Sequence, residues 1–190
     1  MAQRAPEQPL SLSPSLGAGG VLVRQGEPSG GAWLIVSGAF LATCVDPDGR
    51  VFAPDVFGSG DVVGGTDGRG SPWTLRALRR TVISPASALD VNRFTERHRM
   101  RVAAVACDLA WLGVATRLER RIEDLAERFG RPTPGGVSID LGLRQEDLAA
   151  LVGSSRESVN RALACSRRVR RIARGRYLLR TDLEASGSGG

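Results

Sequence analysis

The sequence predicts an α+β protein, an antiparallel β unit followed by a helical one, on three observations. Short β-rich runs separated by turn residues occupy the first half of the chain. Helical apolar periodicity replaces them near residue 94. Positive charge is then crowded into the last third: Arg144 to Arg180 holds ten arginines against Glu146, Asp147 and Glu157, a local balance of +7 beside +6 for the whole chain.

Residues 1–16, rich in Pro and Ser and without apolar periodicity, read as a mobile arm, and 186–190, Ser-Gly-Ser-Gly-Gly, as a flexible tail. Between residues 17 and 93 the β-rich runs are Val21-Leu-Val, Trp33-Leu-Ile-Val, Phe40-Leu-Ala-Thr-Cys-Val, Arg50-Val-Phe, Asp61-Val-Val, Thr74-Leu-Arg-Ala-Leu and Ala88-Leu-Asp-Val. Gly26-Glu-Pro, Ser37-Gly, Asp46-Pro-Asp-Gly and Gly58-Ser-Gly-Asp separate them with turn chemistry, which suggests an antiparallel barrel or sandwich.

Residues 94–113 read as a connecting helix. Val102, Val105, Leu109 and Leu112, with Ala103, Ala106 and Ala110 alongside, form an apolar seam that suits either pairing with a second copy or packing on the β unit. Leu118, Ile122, Leu125 and Phe129 mark a second amphipathic helix, with Gly130 placed for a left-handed cap and Pro132 beyond it. A new domain, 114–185, begins here.

After a short strand at Val137–Leu141, the run from Leu143 to Leu163 is the most specific stretch of the chain. Ala149 is small where two helices cross, Gly153 suits a tight turn of positive φ, and Val159 returns to a core with Leu148, Val152 and Ala162. Ser155 is placed as N-cap of the second helix. The spacing predicts a helix-turn-helix whose second helix exposes Arg156, Glu157 and Arg161. An arginine can bond guanine O6 and N7 together and a glutamate can accept from cytosine N4, so this trio is the candidate for base reading in double-stranded DNA. Ser154, Ser155, Ser158 and Asn160 are candidate backbone contacts. Arg171 to Arg180 reads as two strands turning at Gly175, a wing with Arg174 and Arg176 near its tip to meet phosphates.

Every one of the 26 basic residues is arginine, and Cys44, Cys107 and Cys165 lie too far apart for a metal knuckle or a disulfide framework. No apolar run approaches the roughly 20 residues of a membrane helix, so a cytoplasmic protein without a membrane partner is expected. No P-loop, HExxH, GxSxG or Cys-His pairing stands out, which argues against an enzyme, and the single His98, set among Arg97, Arg99 and Arg101, reads as an exposed helix residue.

These residues resemble the cyclic-AMP receptor protein/FNR family of bacterial regulators. The strongest match is Glu146-Asp-Leu-Ala through Val152-Gly-Ser-Ser-Arg-Glu-Ser-Val-Asn-Arg-Ala-Leu163; Arg24-Gln-Gly-Glu-Pro28, Ile35-Val-Ser-Gly38, Gly60-Asp-Val-Val-Gly64 and Leu125-Ala-Glu-Arg-Phe-Gly130 add to it. The resemblance implies a jelly-roll, cyclic-nucleotide-binding-like effector domain, a dimerisation helix and a winged helix-turn-helix. It also implies a homodimer on a pseudo-palindrome that touches RNA polymerase. The effector pocket it implies, at Gly64, Gly65, Ser71, Pro72 and Arg76, departs from the family pattern. Gly65 stands where the ribose-binding Glu is usual, and Ser71-Pro72 where an Arg-Ser pair meets the cyclic phosphate. Arg69 or Arg76 are the remaining candidates for that charge, so binding of cyclic AMP is not expected and no cofactor is assigned. The connecting helix is shorter than is usual in the family. Ser166 and Arg170-Arg171 also depart from it, so the second helix is expected to run longer. The alternative reading is an effector-gated sensor or protein-interaction module with degenerate DNA binding.

Overall fold

Strands β1 (Ser15–Leu16), β2 (Val21–Val23), β3 (Ala32–Ser37), β4 (Ala39–Val45), β5 (Val51–Phe52), β6 (Val56–Gly58), β7 (Val62–Gly64), β8 (Thr74–Ala77) and β9 (Thr81–Pro85) build the first half of the chain. They belong to a computed structural model that describes residues 13–65 and 69–181. The expected tail and most of the expected arm lie outside the described residues; Ser15 and Leu16, expected in the arm, instead pair with Val82 and Thr81 of β9. Two antiparallel sheets, β1-β9-β3-β7 and β2-β8-β4-β5 with β6 also on β4, enclose Ile35, Phe40, Leu75 and Ile83, each nearly inaccessible. This is the expected jelly-roll-like sandwich, and it uses β6 and β9, two strands absent from the sequence reading.

Ala88–Val91, expected as a strand, are instead the first turn of α1 (Ala88–Trp111), which therefore starts six residues before the expected boundary at 94. Ser87 Oγ accepts the Asp90 N–H, and the Asp90 carboxylate accepts the Ser87 N–H at 2.9 Å, a capping box that sets the helix start. Gly113 then opens α2 (Val114–Phe129), which buries Leu118, Ile122 and Leu125. Gly130 does not take the expected left-handed cap: its φ is −72° and ψ 158°, and the chain leaves α2 extended into β10 (Arg131–Thr133). Glycine is needed there for close approach, since a Cβ would stand 2.3 Å from both Ala126 O and Val137 Cγ1. Strand β11 (Gly136–Asp140), helices α3 (Gln145–Val152) and α4 (Arg156–Cys165), and strands β12 (Val169–Ala173) and β13 (Arg176–Arg180) complete the chain, with sheet order β10-β11-β13-β12.

The β and helical halves share a core. On β4, Phe40 and Ala42 point into the sandwich while Ala39 and Leu41 join Leu118, Ile122, Ile139, Leu143 and Leu148. Strand parity thus makes β4 buried on both faces, which explains its unbroken apolar run. The Ala53 N–H donates to Ala150 O at 3.0 Å and completes the contact between the halves.

Two buried carboxylates tie the same junction together. Asp55 Oδ2 meets Arg101 Nε of α1 and Asp55 Oδ1 meets Arg128 Nη1 of α2, both at 2.9 Å. Asp61 pairs with the same two guanidinium groups at 3.2 and 3.3 Å. His98 is not the exposed residue expected: it is half-buried, its ring stacks on Phe94 with centroids 5.0 Å apart, and its Nδ1 stands 3.7 Å from Asp55 Oδ2. It therefore belongs to the packing of α1 on the β unit.

Candidate nucleic-acid interface

Arg144 is the N-cap of α3, and its N–H donates to Asp147 Oδ2 at 2.8 Å. Gly153 then takes φ 62°, ψ 50°, and the Ser154 N–H returns to Ala149 O at 3.0 Å, closing the turn. A side chain at Gly153 would also meet Leu109 Cδ2 at 2.8 Å. Ser155 caps α4 as expected, its Oγ accepting the Ser158 N–H at 3.2 Å. Val159 and Ala162 are buried against the α2–α3 core, so the opposite side of α4 faces solvent.

That solvent face carries Arg156, Glu157 and Arg161, all exposed and within about two turns of helix. Their tethers are light. Arg156 Nη1 lies 3.8 Å from Glu146 Oε1, with more than half of each side chain exposed, and Arg161 Nη2 donates to Ser158 Oγ at 3.4 Å. Glu157 has its carboxyl below the usual range because its own backbone N–H and the Ser155 hydroxyl stabilise the charge at the helix start. An ionised Glu157 is an acceptor only, as pairing with a base amine requires.

Ser154 and Ser158 are half-buried beside this face and Ser155 is exposed on it. Asn160 is half-buried, and its Oδ1 is buried without a hydrogen-bond partner among the described residues. It borders a cleft of about 560 Å³ between α4 and β12, together with Gln145, Arg167, Arg170 and Arg171. Helix α4 ends at Cys165, ahead of the departures at Ser166 and Arg170-Arg171. Ser166 Oγ donates to Glu119 Oε1 at 2.6 Å and accepts the N–H groups of Arg168 and Val169, which turns the chain into β12.

The wing places its two tip arginines differently. Arg174 borders a groove of about 320 Å³ with Arg144, Gln145 and Arg171, beside the start of α3. Arg176 faces the other side of the sheet, where Asp140 Oδ2 holds it at 2.7 Å. It is thus drawn away from the groove it was expected to share. Arg144, Gln145, Arg170 and Arg171, not among the candidates from sequence reasoning, line the two basic clefts. Among the described residues no carboxylate stands within 4 Å of Arg167, Arg170, Arg171 or Arg174. The alternation Arg170, Arg171, Arg174 in a segment without acids was the available signal. Tyr177 underlies the groove, donating to Leu143 O at 3.1 Å, and burial pushes its phenol up to about 12.

The expected effector pocket is only partly assembled. A cavity of about 160 Å³ is bordered by Gly64, Ser71 and Pro72 with Phe57, Trp73, Phe94 and His98. Gly65 stays outside it, its N–H donating to Gly31 O at 2.8 Å. Arg76 is a correction. Leu75 takes the sandwich side of β8, so parity turns Arg76 the other way, and its Nη2 meets Asp147 Oδ1 of α3 at 2.5 Å. Arg76 is a bridge between the halves, and no guanidinium borders the cavity among the described residues.

A capped recognition helix, a glycine turn, a supporting helix and a basic β-hairpin define a winged helix-turn-helix DNA-binding protein. Residues 101–185 match the Crp-like helix-turn-helix domain. The chain is 29% identical over 163 residues to the CRP-like cAMP-activated global transcriptional regulator of Mycobacterium tuberculosis, covering 77% of this chain and 73% of that protein. Its fold matches a CRP/FNR-family transcriptional regulator of Thermus thermophilus at a TM-score of 0.75 and 22% identity, over 91% of this chain and 95% of that one. It likewise matches the c-di-GMP-responsive global regulator CLP of Xanthomonas campestris at 0.75 and 20% identity, over 90% and 95%. The chain is similar to the CRP/FNR family of bacterial transcription regulators, carries a Crp-like helix-turn-helix domain and is a DNA-binding transcription regulator. Among the described residues no helix is long and apolar enough to cross a membrane.

Proposed function

We propose that the chain binds a pseudo-palindromic operator as a homodimer, without cyclic AMP, and reads it with Arg156, Glu157 and Arg161. The carrying observation is the exposed first turn of α4 beside two clefts bordered by Arg167, Arg170, Arg171 and Arg174, none of which has a carboxylate within 4 Å among the described residues. Ser154, Ser155, Ser158, Asn160 and Arg174 supply backbone contacts, joined by Arg144 and Arg171; Arg176, paired with Asp140, is left out of this set. Independence from cyclic AMP is supported by the lining of the β-unit cavity, which holds no arginine among the described residues, since a cyclic phosphate calls for a charge-assisted partner.

The homodimer is supported by α1, which runs 24 residues with none buried. Met100 (73% exposed) and Trp111 (83%) stand out on it, with Val102, Ala103, Ala106, Leu109 and Ala110 also exposed. A face of that kind on a long helix calls for a partner helix. Of the two packings open to the seam, pairing with a second copy is therefore preferred. RNA polymerase is the further partner that the resemblance to CRP/FNR regulators suggests.

The test is selection of bound sequences from random duplex DNA by the purified protein without added nucleotide, with sedimentation of the complex. Enrichment of an inverted repeat bound by two chains is the expected result. Enrichment only after a ligand is added would favour an effector-gated sensor, and none under any condition a protein-binding module. Arg174→Ala is expected to weaken selected and random DNA alike and to lower the slope of log affinity against log salt by about 1. A loss confined to the selected sequence would remove Arg174 from the backbone set.

A further inference from the structure

We propose that the cavity between the outer face of the winged sheet and the β unit is a binding site for a small phosphorylated anion. The cavity measures about 460 Å³ and is bordered by Arg79, Arg131, Arg176, Thr133, Ser138, Asp140 and the Phe129 ring. Sheet register explains why five of these share one face. Arg131 stands opposite Ser138, and Arg176 opposite Asp140, while Ser138 and Asp140 are two apart on β11; Thr133, two beyond Arg131, joins them. The alternate positions, Ile139 and Tyr177, turn to the core. Arg79 comes from the turn between β8 and β9, so the two halves of the molecule both contribute walls.

The charge on these walls is unbalanced. Asp140 is the one carboxylate among the bordering residues, and its Oδ2 is engaged by Nε and Nη2 of Arg176 at 3.1 and 2.7 Å. Neither Arg79 nor Arg131 has a carboxylate within 4 Å among the described residues. Arg79 Nε is buried with no hydrogen-bond partner, and Nη2 reaches only Gly38 O at 3.5 Å. A guanidinium held only by one long bond to a carbonyl keeps its remaining Nη donors for an anionic acceptor. Two unneutralised guanidinium groups with the Ser138 hydroxyl fit a phosphate or diphosphate, which offers several acceptor oxygens and about two negative charges. The cavity exceeds a bare phosphate, and Phe129 provides an apolar wall for an organic portion.

The site lies on the sheet face opposite the helices, so it does not depend on how α4 meets DNA. Titration calorimetry of the full chain with sodium pyrophosphate at low ionic strength tests it. Arg131→Gln, Arg79→Gln and a control, Arg170→Gln, are titrated alongside, and each is also assayed for binding to duplex DNA. One saturable site is expected, about tenfold or more weaker in Arg131→Gln and Arg79→Gln and unchanged in Arg170→Gln. Arg131 is exposed, so its variant keeps the test open if Arg79→Gln misfolds. Full DNA affinity in Arg131→Gln would assign the site to a free anion. The proposal is overturned by absence of saturable binding, by equal weakening in Arg170→Gln, or by loss of DNA affinity in Arg131→Gln, which would make these arginines contacts to the DNA backbone.

Discussion

Asp55→Ala is expected to destabilise the protein by about 3–5 kcal/mol, because it strands two half-buried guanidinium groups whose shared partner is gone. Asp55 is 2% exposed and holds Arg101 and Arg128 at 2.9 Å, while its Oδ1 also accepts the Val56 N–H at 2.7 Å. Asp61 stays behind at 3.2 and 3.3 Å and offsets part of the loss. An exposed pair such as Arg50–Asp46 is the control, with an expected effect below about 1 kcal/mol when broken. Burial by itself would raise the Asp55 carboxyl, but the imidazole of His98 and the charges of Arg128 and Arg101 outweigh it and hold it at about 2. A folded value below the unfolded one of about 3.8 means that the stabilisation is complete above pH 4 and disappears as the pH falls toward 2. It amounts to about 2 kcal/mol at neutral pH. Urea denaturation from pH 7 down to pH 2.5 would measure both effects. A change under about 1 kcal/mol at pH 7, or a variant as acid-sensitive as the parent, would show that the junction does not rely on this carboxylate.

Arg156→Ala is expected to weaken selected DNA by about 1–3 kcal/mol, roughly 5- to 150-fold, while random DNA loses much less. Arg156 sits in the first turn of α4, is 56% exposed, and has its Nη1 3.8 Å from Glu146 Oε1. Little must be given up to release it, so its bonding capacity is available to a base edge. Its removal should also relax preference at one base pair of each half-site, readable by repeating the selection with the variant. The opposite pattern, equal losses on selected and random DNA, would move Arg156 to the backbone set with Arg174.

The two variants probe parts of the molecule that differ in how far local sequence announces them. Helix α4 is legible because every requirement is met within a dozen residues: Gly153 for φ 62°, Ser155 for the cap, Val159 and Ala162 for the core. The capping box of Ser87 and Asp90 was equally local, and its spacing would have corrected the strand assigned to Ala88–Val91. Strand β9 was harder, a short Thr-Val-Ile run behind two arginines that gains its stability only between β1 and β3. Gly130 was placed at the right helix end for the wrong reason, since a side chain there is excluded by Ala126 O, four residues back, and by Val137, seven residues on.

By itself the sequence determined the order of a β unit and a helical unit, the helix-turn-helix with its Arg156, Glu157 and Arg161 face, and the crowding of arginine beside it. Those depend on periodicity, capping and turn chemistry, which act over a few residues. Tertiary structure alone decided that Arg76 leaves the β-unit cavity for Asp147, that His98 packs on Phe94 near Asp55, and that Arg176 turns from Arg174 to Asp140. In a strand, alternation assigns a residue to one of two faces, but which face meets the second layer is set by residues tens of positions away.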